Sequence, residues 1–261
     1  MTFSELINNG FANLYIIKNG GVYDSTGVFL TVIAILLCCI AGYLLGSVNF
    51  AIILSTKKYK KGDVREHGSK NAGATNMLRT YGKKAALLTF LGDFLKAIAV
   101  CFLGRLCWGI LGAYLAGLFC VIGHVFPVFF KFKGGKGVST TAGVMLACDL
   151  PTFLIIFVLY FGVFFLSKMV SAASIMSALM YPFILFELNK LLPEEYKLPG
   201  FCVLLALAIT VIVVAKHAGN IKRIFEGTEP KMHLFGKNKS SAEEPKPQNT
   251  ENNKKSLHSE E

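Results

Sequence analysis

Charge is what this sequence has least of for its length. Asp, Glu, Lys and Arg make up only 16% of its 261 residues, against 53% hydrophobic, where a soluble domain carries about a quarter charged residues. It has seven cysteines, Cys38, Cys39, Cys101, Cys107, Cys120, Cys148 and Cys202, with no C-x-x-C pair and no histidine at ligand spacing. All lie in or at the ends of apolar runs, so they read as small buried hydrophobes, implying neither metal nor disulfide framework. The start lacks the basic stretch and small-residue cleavage site of a secretory signal. Residues 1–26 read instead as an extension outside the first span, with an interfacial helix in "NGFANLYIIKNG". After Phe235 almost nothing apolar remains, so the Lys-, Glu-, Asn- and Ser-rich tail 228–261 is expected to be disordered.

What the sequence does have is long apolar runs. "GVFLTVIAILLCCIAGYLLGSVNFAIIL" (27–54) exceeds the roughly 20 residues that cross a bilayer. Further runs near 85–104, 106–127, 138–149, 151–168, 169–188 and 199–216 predict an all-α, polytopic membrane bundle of about seven transmembrane helices over 27–227. The loop 56–84 holds nine Lys or Arg against Asp63 and Glu66, and Lys131, Lys133, Lys136, Lys216, Lys222 and Arg223 mark two more basic stretches. The positive-inside rule places all three in the cytoplasm. The acidic connector "ELNKLLPEEYKL" (187–198) and the N-terminus then fall outside, and the C-terminus in the cytoplasm. An odd number of crossings must join 131–136 to 187–198, which divides the chain at Pro151.

Three polar segments therefore meet on one face. "GSKNAGATNMLRTYGKK" (68–84) interleaves Ser69, Asn71, Thr75 and Asn76 with Gly68, Gly73 and Arg79. Glycines let backbone approach a ligand closely, and a guanidinium fork suits phosphate oxygens. A plain basic loop explains the lysines but not this interleaving. "GHVFPVFFKFKGGKGVSTTAG" (123–143) places Gly134, Gly135, Lys136 and Gly137 before a helix, where backbone N–H groups form a ready anion site. It is not a phosphate-binding Walker loop, because Gly137 follows Lys136 and the upstream glycine is missing. In "KHAGNIKR" (216–223), His217 and Asn220 share one helix face. Within the membrane, Asp93 and Lys96 lie a turn apart, as a functional pair or a self-neutralising tie between helices.

Together these blocks resemble the acyl-phosphate:glycerol-3-phosphate acyltransferases, small bacterial membrane enzymes of phospholipid synthesis. "GSVNFAIIL" with "HGSKNAGATNMLRTYGKKAALLTFLGDFLKA" is similar to that family's first block, 123–143 to the second and "KHAGNIKRIFEG" to the third, over about Gly42 to Gly227. The resemblance implies a site on the cytoplasmic side of a bacterial plasma membrane. There the 1-hydroxyl of glycerol 3-phosphate would attack an acyl phosphate, giving lysophosphatidate and phosphate. It implies catalytic roles for Ser69, Arg79, Lys136, His217 and Asn220. Substrate contacts would come from Asn71, Thr75, Asn76, Gly134, Gly135, Gly137 and Ser174. It also implies membrane lipid as surroundings, functional coupling to the enzyme that makes the acyl phosphate, no nucleic-acid partner and no cofactor. Lys70 and Asn49 depart from the family pattern, which favours glycine and proline there. The H-x-x-x-x-D pattern of other glycerolipid acyltransferases is missing, since Ala72, Phe129 and Lys222 stand where Asp would follow His67, His124 and His217. A mixed anhydride with a good leaving group needs orientation more than a strong base, and orientation is worth up to about 7–11 kcal/mol.

Two rival readings use the same residues. An organic-phosphate transporter would need polar residues at mid-membrane in several helices, and only Asp93 and Lys96 qualify. A non-catalytic lipid-binding protein would use the lysines for anionic headgroups and leaves the glycines and the His217–Asn220 pair unexplained.

Overall fold

The computed structural model describes residues 2–22, 24–59 and 62–232, and among these it forms α-helices and no strand. The helices are α1 (Phe3–Lys18), α2 (Ser25–Gly46), α3 (Phe50–Ile53), α4 (Ala74–Tyr81), α5 (Lys83–Val125), α6 (Val138–Cys148), α7 (Leu150–Ser167), α8 (Val170–Leu191), α9 (Gly200–Lys216) and α10 (Ala218–Phe225). Four helical stretches among the described residues are long and apolar enough to cross a membrane, and α9 with α10, bent by 58°, makes a fifth candidate. Large apolar side chains such as Leu36, Val158, Phe165 and Leu204 point outward. That is where they belong when the surroundings are hydrocarbon rather than water.

Helix α5 absorbs two of the expected runs because it doubles back. Trp108 (φ −144°, ψ 35°) and Gly109 (φ 60°, ψ −147°) leave the helical region. Across this break Gly104 packs on Gly112, Cys101 on Gly117, and Asp93 lies 3.4 Å from His124. Partners that recede from the turn in step on both sides define an antiparallel hairpin, with arms 83–107 and 110–125. Its second arm is the centre of the molecule, burying Ala113, Tyr114, Ala116, Cys120, Val121 and Val125. Gly42 and Gly46 of α2 press against the backbone of Ala116 and Cys120, the close approach that small residues four apart permit between membrane helices.

Helix α6 is short, 11 residues, and ends where the charge argument requires. Asp149 closes it and then caps α7 through the Thr152 hydroxyl (2.5 Å) and N–H (3.5 Å), with Pro151 in the first turn, a position that tolerates its missing donor. The N-terminal extension is helical from further upstream than expected, over Phe3–Lys18, but it is broken at Gly10 (φ 72°, ψ 162°). Its Gly10 lies against the backbone of Cys107 to Gly109, and Trp108 Nε1 donates to Asn13 Oδ1 at 3.2 Å. α1 thus covers the turn of the hairpin, and the polar segments gather at the hairpin's other end. Of the expected tail, residues 228–232 are placed and 233–261 lie outside the described residues.

Candidate active site

The first polar segment is organised by one buried amide. Asn76 Oδ1 accepts the Ser69 N–H (2.9 Å), and its Nδ2 donates to the carbonyls of Val64 (2.9 Å) and His67 (3.0 Å). Asn76 is wholly buried and does not line the cavity, which corrects its expected role as a substrate contact. Its donors and acceptor are committed to holding the loop that presents Ser69. Thr75 and Arg79, four apart on α4, turn to the cavity with Ser69 and Asn71. No side-chain hydrogen bond or ion pair among the described residues engages the exposed Arg79 guanidinium. Both departures from the family pattern have structural consequences. Lys70 sits at φ +57°, a conformation that favours glycine. Asn49 caps α3 through the Ile52 N–H (3.2 Å) and reaches the Ala72 carbonyl (3.4 Å).

The glycine loop is pinned to the end of the hairpin. The N–H groups of Gly134 and Gly135 donate to the carbonyls of Val125 and His124, both at 3.2 Å. A side chain at Gly134 would strike the His124 carbonyl, and one at Gly135 the His124 ring and the Ala72 carbonyl. These two amides are therefore not free to cradle an anion; Gly135 stays off the cavity wall, which corrects its expected role, while Gly134 lines that wall as expected of a substrate contact. The cationic Lys136 side chain, Gly137 and the first turn of α6, which has no side-chain cap, face the cavity instead. Behind the loop, Lys96 Nζ donates to Asp93 (2.8 Å) and to the Gly46 (2.9 Å) and Val48 (2.6 Å) carbonyls, 3.2 Å from His124 Nδ1. This tie joins α2 to both arms of α5 and seats the residue from which the glycine loop hangs.

The third segment closes the ring. His217 Nδ1 lies 2.7 Å from the Val213 carbonyl. A carbonyl can only accept, so Nδ1 carries the proton and Nε2 keeps its lone pair. Asn220 Oδ1 accepts from Lys136 Nζ (2.5 Å) and its Nδ2 donates to Glu229 (2.7 Å), so an ammonium and a carboxylate together fix the orientation of the amide. Glu229 also accepts from Ser171 and Arg223. Lys136 is largely buried, and burial pushes its pKa down to about 8; the Glu229 carboxylate raises it, while Arg223 and Arg79 lower it.

The three segments open into one cavity of about 1420 Å³. Ser69, Asn71, Thr75, Arg79, Gly134, Lys136, Gly137, Ser174, His217 and Asn220 line it, and it continues along Phe90, Phe94, Phe153, Phe157 and Phe161. Ser174 Oγ bonds within its own helix to Val170 (2.8 Å), while Thr141 and Ser177 bring buried hydroxyls with no partner among the described residues. A cationic, hydroxyl-rich end and an aromatic groove suit an amphiphile with an anionic head. The wall also includes Ser171, His124 and Glu229, and of these sequence reasoning missed Glu229. Glu229 lay in the segment assigned to the tail; its signal was the lone acid after a glycine at a helix end, in "FEGTEP".

The glycerol-3-phosphate acyltransferase family profile matches residues 36–227. A glycerol-3-phosphate acyltransferase of Finegoldia magna is 40% identical over 199 residues, covering 75% of this chain and 93% of the relative. One from Bacillus subtilis is 38% identical over 202 residues, covering 76% and 97%. The fold matches the crystal structure of PlsY (YgiH), an integral membrane glycerol 3-phosphate acyltransferase, in its glycerol 3-phosphate form. The TM-score is 0.68 at 35% identity, over 76% of this chain and 96% of that one. The lysophosphatidic acid form matches with a TM-score of 0.67. The chain belongs to this family, and the transporter reading has no support.

Proposed function

We propose that this member of the glycerol-3-phosphate acyltransferase family moves an acyl chain from an acyl phosphate to the 1-hydroxyl of glycerol 3-phosphate, on the cytoplasmic side of a bacterial plasma membrane. The membrane domain 27–227 crosses seven times, through α2, the two arms of α5, α6, α7, α8 and α9, with the N-terminus outside. The single observation that carries the reading is that three segments far apart in sequence bring Arg79, Lys136, His217 and Asn220 to one end of a cavity whose other end is an aromatic groove.

In this reading Arg79 and Lys136 bind the two phosphates, and the uncapped first turn of α6 adds its N–H groups and positive dipole end. The acyl chain lies along Phe94, Phe153 and Phe157. Ser69, presented by Asn76, and Asn71 and Thr75 orient the glycerol. As the 1-hydroxyl oxygen bonds to the acyl carbon, the carbon–phosphate oxygen bond breaks and the leaving phosphate carries the electron pair. The same cations stabilise that gathering charge. His217 Nε2 or a substrate phosphate oxygen takes the hydroxyl proton. No strong base is required, because the leaving group is already good and the site works by orientation.

The test is purified protein in lipidic mesophase with palmitoyl phosphate and labelled glycerol 3-phosphate, and with acyl-CoA and acyl carrier protein as rival donors. Equal release of phosphate and lysophosphatidate from palmitoyl phosphate alone is expected. Turnover only with a thioester donor would overturn the acyl-phosphate assignment.

A further inference from the structure

Helix α10 ends by reversing the chain. Gly227, at φ +68°, donates its N–H to Ile224 (3.1 Å), and the Thr228 N–H reaches back to Arg223 (2.8 Å), the hydrogen-bond pair of a Schellman turn. The reversal lays 228–232 across the cavity, where Met232 N–H bonds the Lys168 carbonyl at the α7–α8 turn (2.7 Å). Glu229 thereby joins the cavity wall at 8% exposure. It stands two residues past the end of the family match at 227. Its Oε1 accepts from Ser171 Oγ (2.6 Å) and Asn220 Nδ2 (2.7 Å), and its Oε2 from Arg223 Nε (2.8 Å). Burial opposes its ionisation, but these hydrogen bonds and the Arg223 charge outweigh it and hold its pKa below the ordinary carboxylate value. Glu229 is an anion built into a site for anions.

An anion there repels a phosphate unless what it holds matters more. Asn220 offers both an acceptor and a donor, and only the orientation with Nδ2 on Glu229 aims Oδ1 at Lys136 Nζ. Without the carboxylate the amide is free to flip, bringing donor against donor and releasing the lysine. Arg223 would lose its partner as well. We propose that Glu229 is a positioning residue, which fixes Asn220 and Arg223 so that Lys136 and the Arg223 guanidinium face the phosphate of the substrate. This rests on the reading of the cavity as a glycerol 3-phosphate site. The charges around Lys136 agree: Arg79 from α4 and Arg223 from α10 disfavour its protonation, His217 borders it from the end of α9, and Glu229 alone favours it. The carboxylate keeps the lysine charged while no phosphate is bound.

The experiment compares the wild-type chain with Glu229→Gln and Glu229→Asp. Two readouts are steady-state kinetics from pH 6 to 10 and protection by glycerol 3-phosphate against thermal unfolding, which needs no acyl donor. Gln is expected to raise KM for glycerol 3-phosphate by about tenfold or more, with a smaller change in kcat. It also moves the alkaline limb of kcat/KM to lower pH, because Lys136 loses its favourable neighbour. Asp, which restores the charge, returns that limb to its wild-type position. A Gln variant with unchanged KM and limb overturns the proposal, as does one that only unfolds earlier while both kinetic readouts stay put. Should the wild type be protected by glycerol 3-phosphate yet inert toward palmitoyl phosphate, the donor assignment fails and the protection arm still judges Glu229. Should it be neither protected nor active, the substrate reading falls and takes this proposal with it.

Discussion

Lys136 offers the most direct test of the site, because its charge is set by its surroundings. Burial brings its pKa down to about 8, far below the ordinary value of about 10.4. A lysine with a lowered pKa is cationic below that value and neutral above it, so a site that needs the cation works on the acid side and fails on the alkaline side. Near pH 7 about nine in ten free enzyme molecules carry the charge, and near pH 9 about one in ten do. kcat/KM, which reports the free enzyme, should therefore be level toward neutrality and fall about tenfold per unit beyond pH 9. Lys136→Met removes the cation altogether. If it stabilises charge on the leaving phosphate, the loss should be about 10²–10³-fold in kcat, or about 2.7–4 kcal/mol. Lys136→Arg separates charge from titration, since a guanidinium does not deprotonate in this range. That variant should be slower than wild type but lack the alkaline fall. A wild-type profile level to pH 10, or Lys136→Met within about threefold of wild type, would refute the cationic role.

Two further substitutions test how the site is supported. Asn76→Ala removes the side-chain acceptor of the Ser69 N–H and one of two donors to each of the Val64 and His67 carbonyls, which keep a backbone partner, and should cost about 1–3 kcal/mol. A lower unfolding temperature together with lost turnover is expected; a variant equally stable and active would show that the amide does not organise the loop. Lys96→Met leaves Asp93, 1% exposed, without its cation, only the His124 ring remaining 3.4 Å away, and should cost about 3–5 kcal/mol. Adding Asp93→Leu should recover part of that loss in detergent unfolding measurements, whereas simple additivity would mean the two side chains are not coupled.

Much of this protein was legible in the order of its residues. Apolar runs of bilayer length imply membrane helices because backbone polar groups in hydrocarbon must be satisfied within each segment. The basic loops marked three segments that belong together, and within them Ser69, Arg79, Lys136, His217 and Asn220 line one cavity. The break before α7 followed from charge parity and lies at Asp149–Pro151.

What sequence could not reveal was which polar group meets which. Asn71 and Asn76 look alike as amides in one loop, yet Asn76 turns inward to hold the backbone and Asn71 faces the cavity. Gly134 and Gly135 look like a phosphate cradle, but their N–H groups are already paired with the end of α5. Glu229 reads as one more charge in a polar tail until Gly227 reverses the chain beneath it. Periodicity and composition report only whether a residue prefers hydrocarbon, water or a turn. Hydrogen bonds such as that between Lys136 and Asn220, 84 residues apart, depend on where packed helices bring their ends, and that was decided by the tertiary structure alone.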